Sequence, residues 1–204
     1  MSRSPAQTIS RRIPKAIQVP LRNYATVIGE VVWASNYAHG EFEILFSHVA
    51  TPDNYQRGRA IWHTATSDSG QLKMLRAAAD ASEQLSDRMQ ERILWAIDRA
   101  LQLGELRNDA VHSSTIVLVE NGKAKIAPSD IGTKPSRSER LRRDDDLKKK
   151  FRAVKGDLLQ IGLYVHSLWP HVAGFDALPP LPRKPQLQSL PKQTDRKVTR
   201  VPAK

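Results

Sequence analysis

Apolar positions recur along this chain at helical spacing. From Ile28 they run through Val31/Val32, Ser35, Ala38, Phe42, Leu45 and Val49, in steps of mostly three and four that lay one stripe along an α-helix. That helix is expected to begin near Leu21–Tyr24, behind Pro20, and to stop at Thr51-Pro52-Asp53, because proline cannot continue the hydrogen-bond ladder. A second helical region covers about 53–83 and is interrupted at Ser67-Asp68-Ser69-Gly70, with a run of strong helix formers from Leu72 to Ala81. Ser86-Asp87 offers a cap for a third helix, whose inner face reads Met89, Ile93, Ala96/Ile97 and Ala100/Leu101. The clearest periodicity lies in the last helix, set at about 138–169, where Phe151, Val154, Leu158, Ile161, Val165 and Leu168 step by three and four. Trp169-Pro170 should close it.

One segment breaks the helical pattern. Thr115–Val119 is β-branched, and Lys123–Ile126 follows it across Asn121-Gly122, a pair whose residues accept the positive φ of a tight hairpin turn. A small hairpin at about 114–127 is therefore expected between helices, followed by a Pro-, Ser- and Gly-containing loop over 128–137. The fold class this implies is mainly α: a four- to five-helix bundle with a β-hairpin insertion and disordered basic termini. The expected organisation is a flexible arm over 1–21, one bundle domain over 22–173, and a Pro-rich tail over 174–204.

Charge sharpens that division. The net formal charge is +11. Residues 1–22 hold five cations and no acid, and residues 176–204 hold seven cations against two acids, so the segment between them is close to neutral. Such termini can attract polyanions through counterion release, whereas a folded nucleic-acid binder usually carries its charge on the domain face. The chain has no cysteine, which excludes disulfides, thiolate metal sites and cysteine nucleophiles and fits a reducing cytoplasm. No apolar run approaches the roughly 20 residues of a membrane span. Pro5, Pro14 and Pro20 argue against an amphipathic targeting helix at the N-terminus.

Candidate chemistry is concentrated near the end of the third helix, in Glu105-Leu106-Arg107-Asn108-Asp109-Ala110-Val111-His112. Asn108 and His112 are four apart and share a helix face, whereas Arg107 stands roughly 140° from His112. In a bland reading, Arg107 pairs with Glu105 or Asp109 at the surface, and Asn108 and His112 cap the helix end. His39, His48, His63, His166 and His171 lack metal-ligand spacing and read as core-edge or surface residues. Trp33, Trp62, Trp95 and Trp169 read as core anchors. No phosphate-binding glycine loop or nucleophile elbow is present, and neither a metal nor a cofactor is expected.

Arg107-Asn108-x-x-x-His112 resembles the Arg-polar-x-x-x-His signature of the HEPN superfamily, helical bundles that include many metal-independent endoribonucleases of toxin–antitoxin, abortive-infection and RNA-processing systems. The motif match covers six positions, and the compatible helix order covers about residues 23–170. The resemblance implies a homodimer with its cleft between copies, RNA as substrate, and an antitoxin-like protein as a further partner. It also implies roles. His112 would act as general base or acid, since imidazole titrates near neutral pH. Arg107 would stabilise charge on the phosphorane oxygens, and Asn108 would orient the imidazole or donate to phosphate. The ribose 2′-OH would attack the adjacent phosphate, leaving a 2′,3′-cyclic phosphate and a 5′-hydroxyl end. Two alternatives remain beside this one: a non-catalytic bundle of the same fold that binds RNA, a nucleotide or a protein, and an adaptor whose basic termini carry the binding.

Overall fold

The computed structural model describes residues 14–120, 123–175 and 180–190. It is mainly helical, with six helices and one hairpin: α1 (Lys15–Ala50), α2 (Tyr55–Trp62), α3 (Asp68–Ala81), α4 (Asp87–His112), β1 (Thr115–Glu120), β2 (Lys123–Pro128), α5 (Pro135–Arg142) and α6 (Leu147–Val172). No described helix is long and apolar enough to cross a membrane.

Short polar side chains set most helix starts by accepting orphan backbone N–H groups. Asn54 accepts from Arg57 at 2.9 Å, Ser67 from Gly70 at 3.2 Å, and Ser86 from Met89 at 3.3 Å. Asp146 accepts from both Lys148 (2.9 Å) and Lys149 (3.1 Å). That last cap corrects an expectation. The single helix placed at 138–169 is two helices, because Asp146 starts a new one after the turn at Arg143–Asp146. The second of these also continues through Pro170 to Val172.

α1 departs from expectation at its other end. It starts at Lys15, ahead of Pro20, with the Pro14 carbonyl accepting from Ile17 (2.9 Å) and Gln18 (3.0 Å). A proline this close to a helix start removes a single ladder bond, so residues 15–21 are helical where an irregular arm was expected.

α1 and α6 form the most extensive contact in the fold. Tyr24, Val27, Val31, Ala34, Ala38, Phe42 and Leu45 of α1 are buried, as are Phe151, Val154, Leu158, Ile161, Val165 and Leu168 of α6. Backbones come close where glycine permits it. A Cβ on Gly162 would lie 2.7 Å from Tyr37 Cε1 and 3.1 Å from Ala38 Cα. A Cβ on Gly58 of α2 would lie 2.6 Å from Ser47 Cα. Trp62 is fully buried, with its ring 5.3 Å from both His39 and Phe46. Trp33, by contrast, is exposed and stacks on Tyr37 rather than anchoring the core.

The hairpin is antiparallel, with Thr115 opposite Pro128 and Glu120 opposite Lys123. Its connection, Asn121-Gly122, lies outside the described residues. Ile126 joins the core, and Ser129 N–H donates to the Ser114 carbonyl at 2.8 Å to close the open end. Part of the tail is also placed, contrary to expectation. Residues 180–190 lie against the bundle with Leu181, Leu187 and Leu190 packed on its core.

Two glycine variants test this packing. Gly58→Ala should lower unfolding free energy by about 1–3 kcal/mol through forced separation of α1 and α2. Gly29→Ala, whose Cβ meets nothing within 4 Å, should be neutral or raise it by up to about 1 kcal/mol. Urea unfolding of the two variants measures the difference.

Candidate functional site

A cavity of about 580 Å³ opens between α1, the start of α3 and the last turns of α4. Ala38, Phe42, Leu72, Leu101 and Leu158 give it an apolar floor. Its polar lining is Ser35 and His39 from α1, Ser67, Asp68 and Ser69 from the α3 start, and Glu105, Arg107 and Asn108 from α4.

Each polar group is held by identifiable neighbours. Gln71 is buried and its amide donates to the Trp62 carbonyl at 3.1 Å, which turns its oxygen towards His39. His39 Nε2 lies 2.5 Å from that oxygen. Since the amide oxygen can only accept, Nε2 is the donor in this contact. The same Nε2 is 3.9 Å from Asp68 Oδ1. Asp68 in turn forms an ion pair with Arg107 through its other oxygen. Arg107 is thus paired across the cavity, not with Glu105 or Asp109. Its Nε is buried and has no hydrogen-bond partner among the described residues.

The three motif residues do not converge. Arg107 and Asn108 line the cavity, while His112 is exposed at the last position of α4 and is not part of the lining. Its carbonyl accepts from Arg137 Nη1 at 3.3 Å. The intervening Asp109 faces α5 and is completely buried. Arg137 Nε donates to it at 3.1 Å, and Arg140 donates two bonds at 2.9 and 2.7 Å. The hydrogen bond to Asp109 raises the Arg140 pKa further above its ordinary value. This clamp fixes α5 to the end of α4 and so sets where His112 stands.

Sequence reasoning missed His39 and Asp68. His39 lay on a predicted helix and Asp68 in the predicted interruption at 67–70, but only the crossing of α1, α3 and α4 brings them to Arg107. Three other histidines pair or stack: His63 with Glu43 (3.4 Å), His166 with Glu41 (3.0 Å), and His48 against Trp169 (5.6 Å). Burial lowers the His48 pKa. No group of three or more metal-ligating side chains occurs among the described residues. Comparison with protein-family models, curated proteins and solved structures returned no match.

The Asp109 clamp has a measurable consequence. Asp109→Ala leaves two guanidinium groups without their shared acceptor, and removing one member of a buried charge cluster costs about 3–5 kcal/mol. Because the Arg140 side chain is 46% exposed, solvent screening should bring the loss to about 2–3 kcal/mol in urea unfolding.

Proposed function

We propose that this protein is a HEPN-like helical domain that binds RNA by admitting a nucleotide unit to the α1/α3/α4 cavity. The observation that carries the reading is Arg107. Its side chain lines the cavity, is steadied by Asp68, and keeps a buried Nε–H with no acceptor among the described residues. An unpaired buried donor is costly, and a guanidinium suits phosphate. A cavity of about 580 Å³ falls in the range of nucleotide-sized sites, and its apolar floor beneath a few polar groups is the usual make-up of such a site. A base rests on the floor, Asn108 and His39 read polar edges, and phosphate meets Arg107. Glu105 at the rim disfavours a second phosphate at the same place.

Calorimetric titration of the full chain with nucleoside monophosphates, beside the matching nucleosides, tests this. Saturable binding of the monophosphate should weaken about 10-fold or more in Arg107→Ala and less in Arg107→Lys. Equal binding by the wild type and Arg107→Ala, or none by the wild type, contradicts it. Mononucleotides are the right probe, because the basic termini attract longer polyanions whatever the cavity does.

A second reading adds cleavage, and the exposure of His112 at the end of α4 favours it. In one copy Arg107 and His112 face different spaces, so metal-independent cleavage requires a homodimer in which one copy supplies Arg107 and the other His112. Cleavage of RNA in the presence of EDTA should then vanish in Arg107→Ala and in His112→Ala. Mixing the two inactive variants should restore about a quarter of the activity, because half of randomly paired dimers carry one intact site. No cleavage by the wild type leaves the binding reading alone. A toxin role with an antitoxin-like partner belongs to this second reading and follows from the resemblance only.

A further inference from the structure

Residues 180–190 lie across α4 and α6 without forming a helix or strand. The segment runs back along α6. Its start meets Arg92, whose guanidinium donates to the Pro182 carbonyl and, at 3.3 Å, to the Tyr164 hydroxyl. Its end meets Asp157, seven residues earlier on α6 than Tyr164. Between them Lys184 pairs with Glu91 at 2.6 Å and lies 5.7 Å above the Trp95 ring. That hydrogen bond also lowers the Glu91 pKa.

Asp157 is the unusual residue. It is 1% exposed, and among the described residues its hydrogen-bond partners all come from the segment. Gln188 N–H donates to one oxygen at 2.9 Å, and Ser189 N–H and Ser189 Oγ donate to the other at 2.6 and 2.5 Å. The bundle itself gains nothing from a buried carboxylate that no cation among the described residues neutralises. The group makes sense as a reader of two successive backbone amides and a hydroxyl, which is how a groove recognises an extended peptide. The remaining contacts follow the same rule: bundle side chains address the segment's backbone and its anchors, with no shared backbone ladder among the described residues.

We propose that the α4/α6 groove is a peptide-recognition site, occupied in cis by residues 180–190, and that in trans it takes an extended, proline-containing protein segment that carries a Ser-Leu pair and, upstream of it, a basic residue over Trp95. The Leu187, Ser189 and Leu190 pattern supplies specificity through two apolar contacts and one hydroxyl. The cis segment holds the groove against competitors by its high local concentration. None of Glu91, Arg92, Trp95, Asp157 and Tyr164 lines the Arg107 cavity, so the proposal does not rest on the RNA reading.

Full-chain variants test it. Ser189→Asp sets a carboxylate against Asp157 and should release the segment. Hydrogen exchange at residues 187–190 should then rise about 10-fold or more while exchange in α1 and α6 stays slow, the signature of local opening. A fluorescein-labelled peptide with the sequence of residues 180–190 should bind Ser189→Asp at least about 10-fold more tightly than the wild type, whose groove is filled. It should lose that advantage in the double variant Ser189→Asp with Asp157→Asn. Should Ser189→Asp fail to fold, Ser189→Ala removes one hydrogen bond only and should still raise local exchange about threefold or more. Unchanged exchange at 187–190, exchange rising equally throughout the bundle, or equal peptide binding by the three proteins would overturn the proposal.

Discussion

An α-helix turns about 100° between successive residues, and that rotation over the last turns of α4 governs the RNA site proposed for this protein. Arg107 and Asn108 face the cavity, Asp109 faces α5, and His112 ends the helix in solvent. The direction of each is enforced by its neighbours. The Asp68 carboxylate draws Arg107 to the α3 start, and Arg137 with Arg140 hold Asp109 on the other side. Rotating α4 to bring His112 into the cavity would withdraw Asp109 from both arginines. A single copy therefore places Arg107 but not His112 at the cavity, and in the proposed reading any chemistry that needs the His112 imidazole beside it needs a second copy.

Two neutralisation strategies support the rest of the molecule. Asp109 is buried beside cations, whereas Asp157 is buried beside backbone amides and a hydroxyl. The first is a tie between elements that always accompany each other in the chain, α4 and α5. The second ties α6 to a segment that has no secondary structure of its own. In the proposed reading, a carboxylate satisfied by amides and a hydroxyl can exchange one peptide for another, which a cluster of three charged side chains cannot do as readily.

Much of the architecture was legible in the sequence because helical periodicity and caps are local signals. Ser86 and the stripe from Phe151 to Leu168 identify their helices without reference to anything distant, whereas Ser67 read as an interruption and is in fact a cap. The hairpin strands were legible for the same reason. The errors were also local in origin but needed a competing interaction to resolve. Charged residues over 138–150 read as one helix until Asp146 turned its side chain back onto the Lys148 and Lys149 amides. Pro20 read as a helix start although a proline in an early turn is tolerated. The prolines after Ala177 read as an unfolded tail, because nothing near them in sequence reveals a buried acceptor at Asp157. Site geometry was the least legible part. Arg107, Asn108 and His112 could be named, but the partners that direct them, Asp68, His39 and the α5 arginines, come from elements far away in the chain.

Side-chain NMR during titration with a nucleoside monophosphate tests the central claim most directly. The account predicts that the Arg107 Nε–H and the His39 ring resonances shift together and saturate at one ligand per chain, with the Asp109 clamp and His112 unmoved. Shifts confined to His112 and the α4 end, with Arg107 and His39 silent, would contradict it.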